Sequence, residues 1–107
     1  MSAMENPHAG QGRAVPLDIG GNVGALVVVM PAKLDGAEIE IRPITGSKTA
    51  HVGVVARPAP NGRAVYSAVF FDVPAGTYEL YQRPDGPVRL RVDVFGSRVT
   101  YADWPDR

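Results

Sequence analysis

From Val15 onward the chain is a succession of short apolar runs, each closed by Gly, Pro, Asn or Asp: Gly24 to Met30, Glu38 to Pro43, His51 to Pro58, Arg63 to Val73, Thr77 to Arg83, Val88 to Phe95 and Arg98 to Asp103. In Glu38-Ile39-Glu40-Ile41-Arg42 and Val88-Arg89-Leu90-Arg91-Val92-Asp93-Val94, apolar and charged residues alternate. Successive side chains of a strand point to opposite faces, so this pattern gives each strand one apolar and one charged side. A helix needs apolar residues every three or four positions, and no stretch holds that period. Ala32 to Asp35 has room for a single turn.

The segments between the runs carry turn chemistry. Asn61-Gly62 suits a two-residue type I′ hairpin turn, whose central residues both take positive φ. Gly96-Ser97 suits type II′, with Gly at the first central position, and Pro74-Ala75-Gly76 and Pro84-Asp85-Gly86 are further turn signals. About seven short strands at this spacing predict an all-β fold, an antiparallel β-sandwich of the immunoglobulin-like kind.

Composition bounds what such a domain can do. A length of 107 residues fits one domain. Residues 1–14, rich in Gly, Ala, Asn and Pro, read as a flexible tail, leaving 15–107 as a single β-sandwich domain. Eleven basic residues cancel eleven acidic ones, so neither a nucleic acid nor an anionic membrane surface is an expected partner. Without cysteine there is no disulfide framework and no thiolate metal site. No apolar stretch approaches the roughly 20 residues that cross a bilayer, and no secretory pattern opens the chain, so a cytoplasmic location is expected. No motif calls for a cofactor.

Two stretches go beyond a generic strand pattern. Leu34-Asp35-Gly36-Ala37-Glu38-Ile39-Glu40-Ile41, followed by Phe71-Asp72-Val73-Pro74-Ala75-Gly76-Thr77-Tyr78-Glu79-Leu80, resembles the prealbumin-like sandwich of Cna-B and carboxypeptidase-regulatory-like modules, over residues 24–82. The resemblance implies that the first stretch begins an early strand and that the second turns into a later one, with Tyr78 and Leu80 facing the core. Modules of that kind bind, space or decorate. Cross-linking of the Cna-B type needs an early-strand lysine and a late asparagine, whereas Lys33 and Lys48 fall in or near turns and no asparagine follows Asn61. More narrowly, Leu17-Asp18-Ile19-Gly20-Gly21-Asn22-Val23-Gly24-Ala25-Leu26-Val27-Val28, with those stretches, a histidine opening the third run and a closing tryptophan, resembles small single-domain proteins of actinobacteria. Some of these carry the name phospholipase.

That name makes hydrolysis the first chemistry to test. A serine esterase needs a nucleophile, a base and an orienting acid. No G-x-S-x-G elbow is present; the serines are Ser2, Ser47, Ser67 and Ser97, of which Ser2 and Ser97 fall in the tail and a turn, and the pair to consider is Ser67 with His51. A two-residue Asn61-Gly62 turn sets Arg57 opposite Tyr66, Val55 opposite Ala68, Gly53 opposite Phe70 and His51 opposite Asp72. The other side of that hairpin then carries Val52, Val54, Phe71 and Val69 as its core face, together with Ser67. Ser67 and His51 therefore point to opposite sides, and the reading leans away from an enzyme.

Two candidate sites follow from the same register. Val55, Phe70, Tyr66 and Arg57 form an outward patch that is apolar and aromatic where a solvated face carries charge, which suits self-association or a protein partner. The alternative is that an N-terminal strand, a loop or the Trp104 tail folds over it. His51 with Asp72 is either half of a metal or ligand site, possible as a general base, or a plain cross-strand polar pair. Glu38 and Glu40 would join it only if their strand lies beside His51. The last hairpin sets Arg89 over Trp104 as a cation-π clamp or, with Tyr81, a stacking platform. Gly20-Gly21-Asn22-Val23-Gly24 lacks the lysine and following helix of a phosphate loop and reads as a tight entry into a strand.

Overall fold

The computed structural model describes residues 20–46 and 48–105. The expected tail over 1–14, the following segment 15–19, Ser47 and residues 106–107 lie outside the described residues. Among the described residues there are eight strands: β1 (Val23–Met30), β2 (Glu38–Pro43), β3 (Ala50–Gly53), β4 (Val55–Pro58), β5 (Ala64–Pro74), β6 (Gly76–Gln82), β7 (Val88–Val94) and β8 (Val99–Asp103). A 3₁₀ turn at Ala32–Leu34 falls where the sequence had room for it.

The strands form two four-stranded sheets, β4-β5-β1-β8 and β3-β2-β6-β7. Neighbours are antiparallel except β1 and β8, which run parallel. Period-two alternation decides what each sheet buries. Leu26, Val28 and Met30 of β1 and Ala68 and Phe70 of β5 meet Ile39, Ile41, Tyr78, Leu80 and Val94 of the other sheet in one buried cluster. Full burial of a side chain of this size is worth about 1.5–3 kcal/mol, and this cluster does the work that disulfides do in smaller cysteine-rich domains.

Seven expected runs become eight strands because His51 to Pro58 is not one strand. The chain leaves the second sheet after Gly53 and enters the first at Val55. Val54 makes the crossing with its side chain 2% exposed. Its N–H donates to the Ala37 carbonyl at 2.8 Å, and its carbonyl accepts from the Gly36 N–H at 3.0 Å, so the switch costs no buried hydrogen bond.

The β4–β5 hairpin corrects the expected register. Gly62 N–H donates to the Ala59 carbonyl and Ala59 N–H to the Arg63 carbonyl, closing a loop around Pro60, Asn61 and Gly62, with Gly62 at φ +84. That is the three-residue loop in which a turn is followed by a left-handed glycine. The one added residue pairs Val55 with Ser67, Ala56 with Tyr66 and Arg57 with Val65. A slip of one residue turns every side chain to the other face, so Ala68 and Phe70 point into the core and Val65, Val69 and Phe71 point out. Further along β5 the ladder shifts between Gly24 and Leu26, and Phe71 and Asp72 oppose Ala25 alone. Asp72 takes φ +55 in this bulge, which returns Val73 to the core.

The last two runs do not form a hairpin. β7 pairs with β6 and β8 with β1, so the Gly96-Ser97 link passes between sheets. Ser97, not Gly96, has the left-handed backbone, at φ +63. Gly96 is required for a different reason: a Cβ there would stand 1.9 Å from the Gly21 carbonyl oxygen. Gly21 and Asn22 make the tight turn before β1, closed by reciprocal bonds between Gly20 and Val23.

Candidate functional site

The outer face of the β4-β5-β1-β8 sheet is the feature least like an ordinary solvated surface. Cross-strand partners share a face, so the pairs Val27 with Val69, Val27 with Tyr101, Val29 with Ser67, Val55 with Ser67 and Arg57 with Val65 lay out its residues. Five of the large apolar side chains here are exposed: Val29, Val55, Val65, Phe71 at 44% and Tyr101 at 72%. Among the described strand residues of this face, charge enters only at the two edges, as Arg57 on β4 and Asp103 on β8.

Ser67 lies within this face and is nevertheless 3% exposed. Arg57 folds over it, and its Nε donates to Ser67 Oγ at 2.8 Å. The hydroxyl is thus a satisfied acceptor under a guanidinium, a poor setting for a nucleophile. His51 lies on the outer face of the other sheet, opposite Glu40, so no Ser-His pair can form.

Of the four residues expected to share an outward patch, the structure brings Val55 and Arg57 to the outer face. Phe70 is in the core, 2% exposed, and Tyr66 packs against the core from the same side. The cause is the three-residue loop, which exchanges the faces of β5. Trp104 does not cover the outer face either; its side chain is buried in the core cluster, and its backbone N–H donates to the Val29 carbonyl at 2.9 Å.

His51 and Asp72 are likewise not partners. β3 carries His51 in one sheet and β5 carries Asp72 in the other, because the chain changes sheets at Val54. Glu38 and Glu40 do lie beside His51: its Nε2 stands 3.4 Å from Glu38 Oε1. Arg83 takes up both carboxylates, with Nη1 at 3.6 Å from Glu38 and Nε at 3.3 Å from Glu40. The Thr49 hydroxyl bonded to Glu40 is the largest influence and holds its carboxyl below the ordinary value of 4.5; burial opposes it, and Tyr81, Arg83 and His51 each add a smaller downward contribution. A carboxylate pair already occupied by a guanidinium is an ion-pair network, and no three His, Asp or Glu side chains among the described residues converge as a metal site.

Further pairs lie on that second outer face. Arg42 pairs with Glu79 at 3.1 Å and lies over Tyr81, and Thr77 donates to Asp93 at 2.6 Å. Arg89 does lie over Trp104, 5.9 Å from the ring centroid, although β7 and β8 are in different sheets. Tyr81 is on the outer face and Trp104 in the core, so they form no common stacking platform.

Comparison with protein families, with curated proteins and with solved structures finds no match to this chain. No helix among the described residues is long and apolar enough to cross a membrane.

Val27, Val29, Val65, Phe71 and Tyr101 are the surface residues that sequence reasoning missed. The signal was present in Val27-Val28-Val29 and Phe70-Phe71, where the apolar run is continuous. Continuity means both faces of a strand are apolar, and a domain of two sheets offers a core to only one of them.

Proposed function

We propose that this protein is a non-catalytic β-sandwich module of the cytoplasm that associates with a second copy of itself through the outer face of the β4-β5-β1-β8 sheet. The observation that carries the reading is the run of exposed Val29, Val55, Val65, Phe71 and Tyr101 across one sheet face. Contiguous apolar surface of this kind marks interfaces. The prealbumin-like resemblance of residues 24–82 belongs to the same proposal, since modules of that kind bind and space.

The occupant is argued from the placement of charge. A two-fold axis running along the strands, between two such faces, sets β4 of one copy over β8 of the other. Ser67 is level with Val29, and Val29 with Asp103. The Arg57 guanidinium, held on Ser67, is therefore at the height of Asp103 across the sheet. The same axis brings it against Asp103 of a second copy twice, closing a symmetric interface at both edges.

Light scattering on the charge reversals tests this. Arg57→Asp and Asp103→Arg singly place like charges together and should give monomer mass where the parent gives dimer; the double reversal should regain the dimer. A parent that stays monomeric, or a double reversal no better than the singles, overturns the reading.

A further inference from the structure

At the edge where β3 and β5 face each other from opposite sheets, a cleft of about 410 Å³ opens between the layers. Its floor is apolar, set by Ile41, Ala50, Val52, Phe70 and Val73. Protein interiors pack at crystal-like density, and a void of this size lies in the range of small-molecule sites, about 300–1,000 Å³. Two local causes keep it open. The facing strand β3 has only four residues and presents small Ala50 and Val52 inward, and the bulge at Phe71 and Asp72 bends β5.

The polar groups on the rim divide into occupied and available. The Tyr78 hydroxyl donates to the Pro74 carbonyl at 2.6 Å, and burial pushes its pKa up, so it is a neutral wall group. The Thr49 hydroxyl is bonded to Glu40. Lys48 and Asp72 remain, and neither has a partner among the described residues. They come from opposite walls: Lys48 precedes β3 in one sheet, and Asp72 belongs to β5 in the other. Among the described residues Asp72 is also one of two non-glycine positions with left-handed φ, a conformation that clusters at ligand sites.

We propose that this cleft binds a small apolar zwitterion, its hydrocarbon or aromatic body between the sheets, its ammonium on Asp72 and its carboxylate on Lys48. A ligand with a single charge would satisfy one rim group and be repelled by the other, whereas a zwitterion makes two charge-assisted bonds. The cleft shares Phe71 with the self-association surface, but its rim charges Lys48 and Asp72 are distinct from Arg57 and Asp103, so each proposal can fail without the other.

An amide NMR titration of the full chain tests it, with L-phenylalanine as probe and two analogues as controls: 3-phenylpropionate, which lacks the ammonium, and 2-phenylethylamine, which lacks the carboxylate. Saturable shifts at Val52 and Val73 are expected with phenylalanine, and affinity about tenfold or more weaker with each analogue, the scale of one charged hydrogen bond. Asp72→Asn, which keeps a residue tolerant of left-handed φ, should weaken phenylalanine binding by a similar factor. Val52→Trp fills the cleft and should abolish the shifts; if that variant does not fold, the Asp72→Asn ratio decides. No saturable shift with phenylalanine, an analogue binding as tightly as phenylalanine, or an unchanged affinity in Asp72→Asn overturns the proposal.

Discussion

Arg57 Nε donates to the Ser67 hydroxyl at 2.8 Å across the β4–β5 hairpin, and this bond exists only in the register that turns Phe70 inward. It also covers a polar position in a largely apolar sheet face. Ser67 is nearly inaccessible to water, so removing its partner leaves a buried hydroxyl unsatisfied, which costs about 1–3 kcal/mol. Arg57→Ala should therefore destabilise the fold by about 1 kcal/mol in urea denaturation, although Arg57 itself is exposed. Ser67→Ala in the Arg57→Ala background should recover part of that loss.

The register makes adjacent phenylalanines unequal. Phe70→Ala empties a core position and should cost about 3–5 kcal/mol. Phe71→Ala, on the outer face, should change monomer stability by well under half of that. Chemical denaturation of the two variants reads the difference, and a two-residue Asn61-Gly62 turn would give the reverse order.

Gly96 approaches the Gly21 carbonyl too closely for any side chain. Gly96→Ala should destabilise by about 1–3 kcal/mol, the cost of forced displacement in a packed site. The usual gain from removing glycine's unfolded-state freedom, about 0.4–1 kcal/mol, applies only where the native geometry accommodates the new side chain. Thermal unfolding of the variant against Gly62→Asn, at a left-handed position with open space, separates the two effects.

Glu40 gives the pH dependence a sign. Its folded carboxyl titrates below the ordinary value of 4.5, first through the Thr49 hydroxyl and then through Tyr81, Arg83 and His51. A carboxyl lowered in the folded state contributes stability that is present above its unfolded pKa and is lost as pH falls through the folded one. Thr49→Val should move the Glu40 titration, followed by carboxyl-carbon NMR, upward toward 4.5 and reduce the loss of stability on acidification through that range.

Much of the fold was legible in the chain. The alternation in Glu38 to Arg42 and the spacing of the runs announced strands of the observed lengths, because a period of two needs no tertiary information. What was not legible was set by single residues. Asn61-Gly62 satisfies a two-residue turn and equally the left-handed end of a three-residue loop, and the two choices bury opposite faces of β5. Val54 reads as the middle of one strand, and only the competition between two sheets for its neighbours makes it a crossing. The Gly96-Ser97 turn is local, but whether β8 pairs with β7 or with β1 is decided by which edge of the core remains open. The candidate surface inherited these ambiguities: its apolar character was readable in Val27 to Val29 and Phe70-Phe71, while its membership waited on the register.

The central claim is that two copies meet face to face across the β4-β5-β1-β8 sheet. An isotope-filtered NOE experiment on a mixture of labelled and unlabelled protein, in which only intermolecular contacts give signal, tests it most directly. The two-fold arrangement predicts cross-peaks from the Tyr101 ring of one copy to valine methyls on β4 and β5 of the other, Val55 and Val69 foremost. Intermolecular signals confined to Tyr81 and the charged outer face, or none at concentrations where the parent mass is measured, would contradict it.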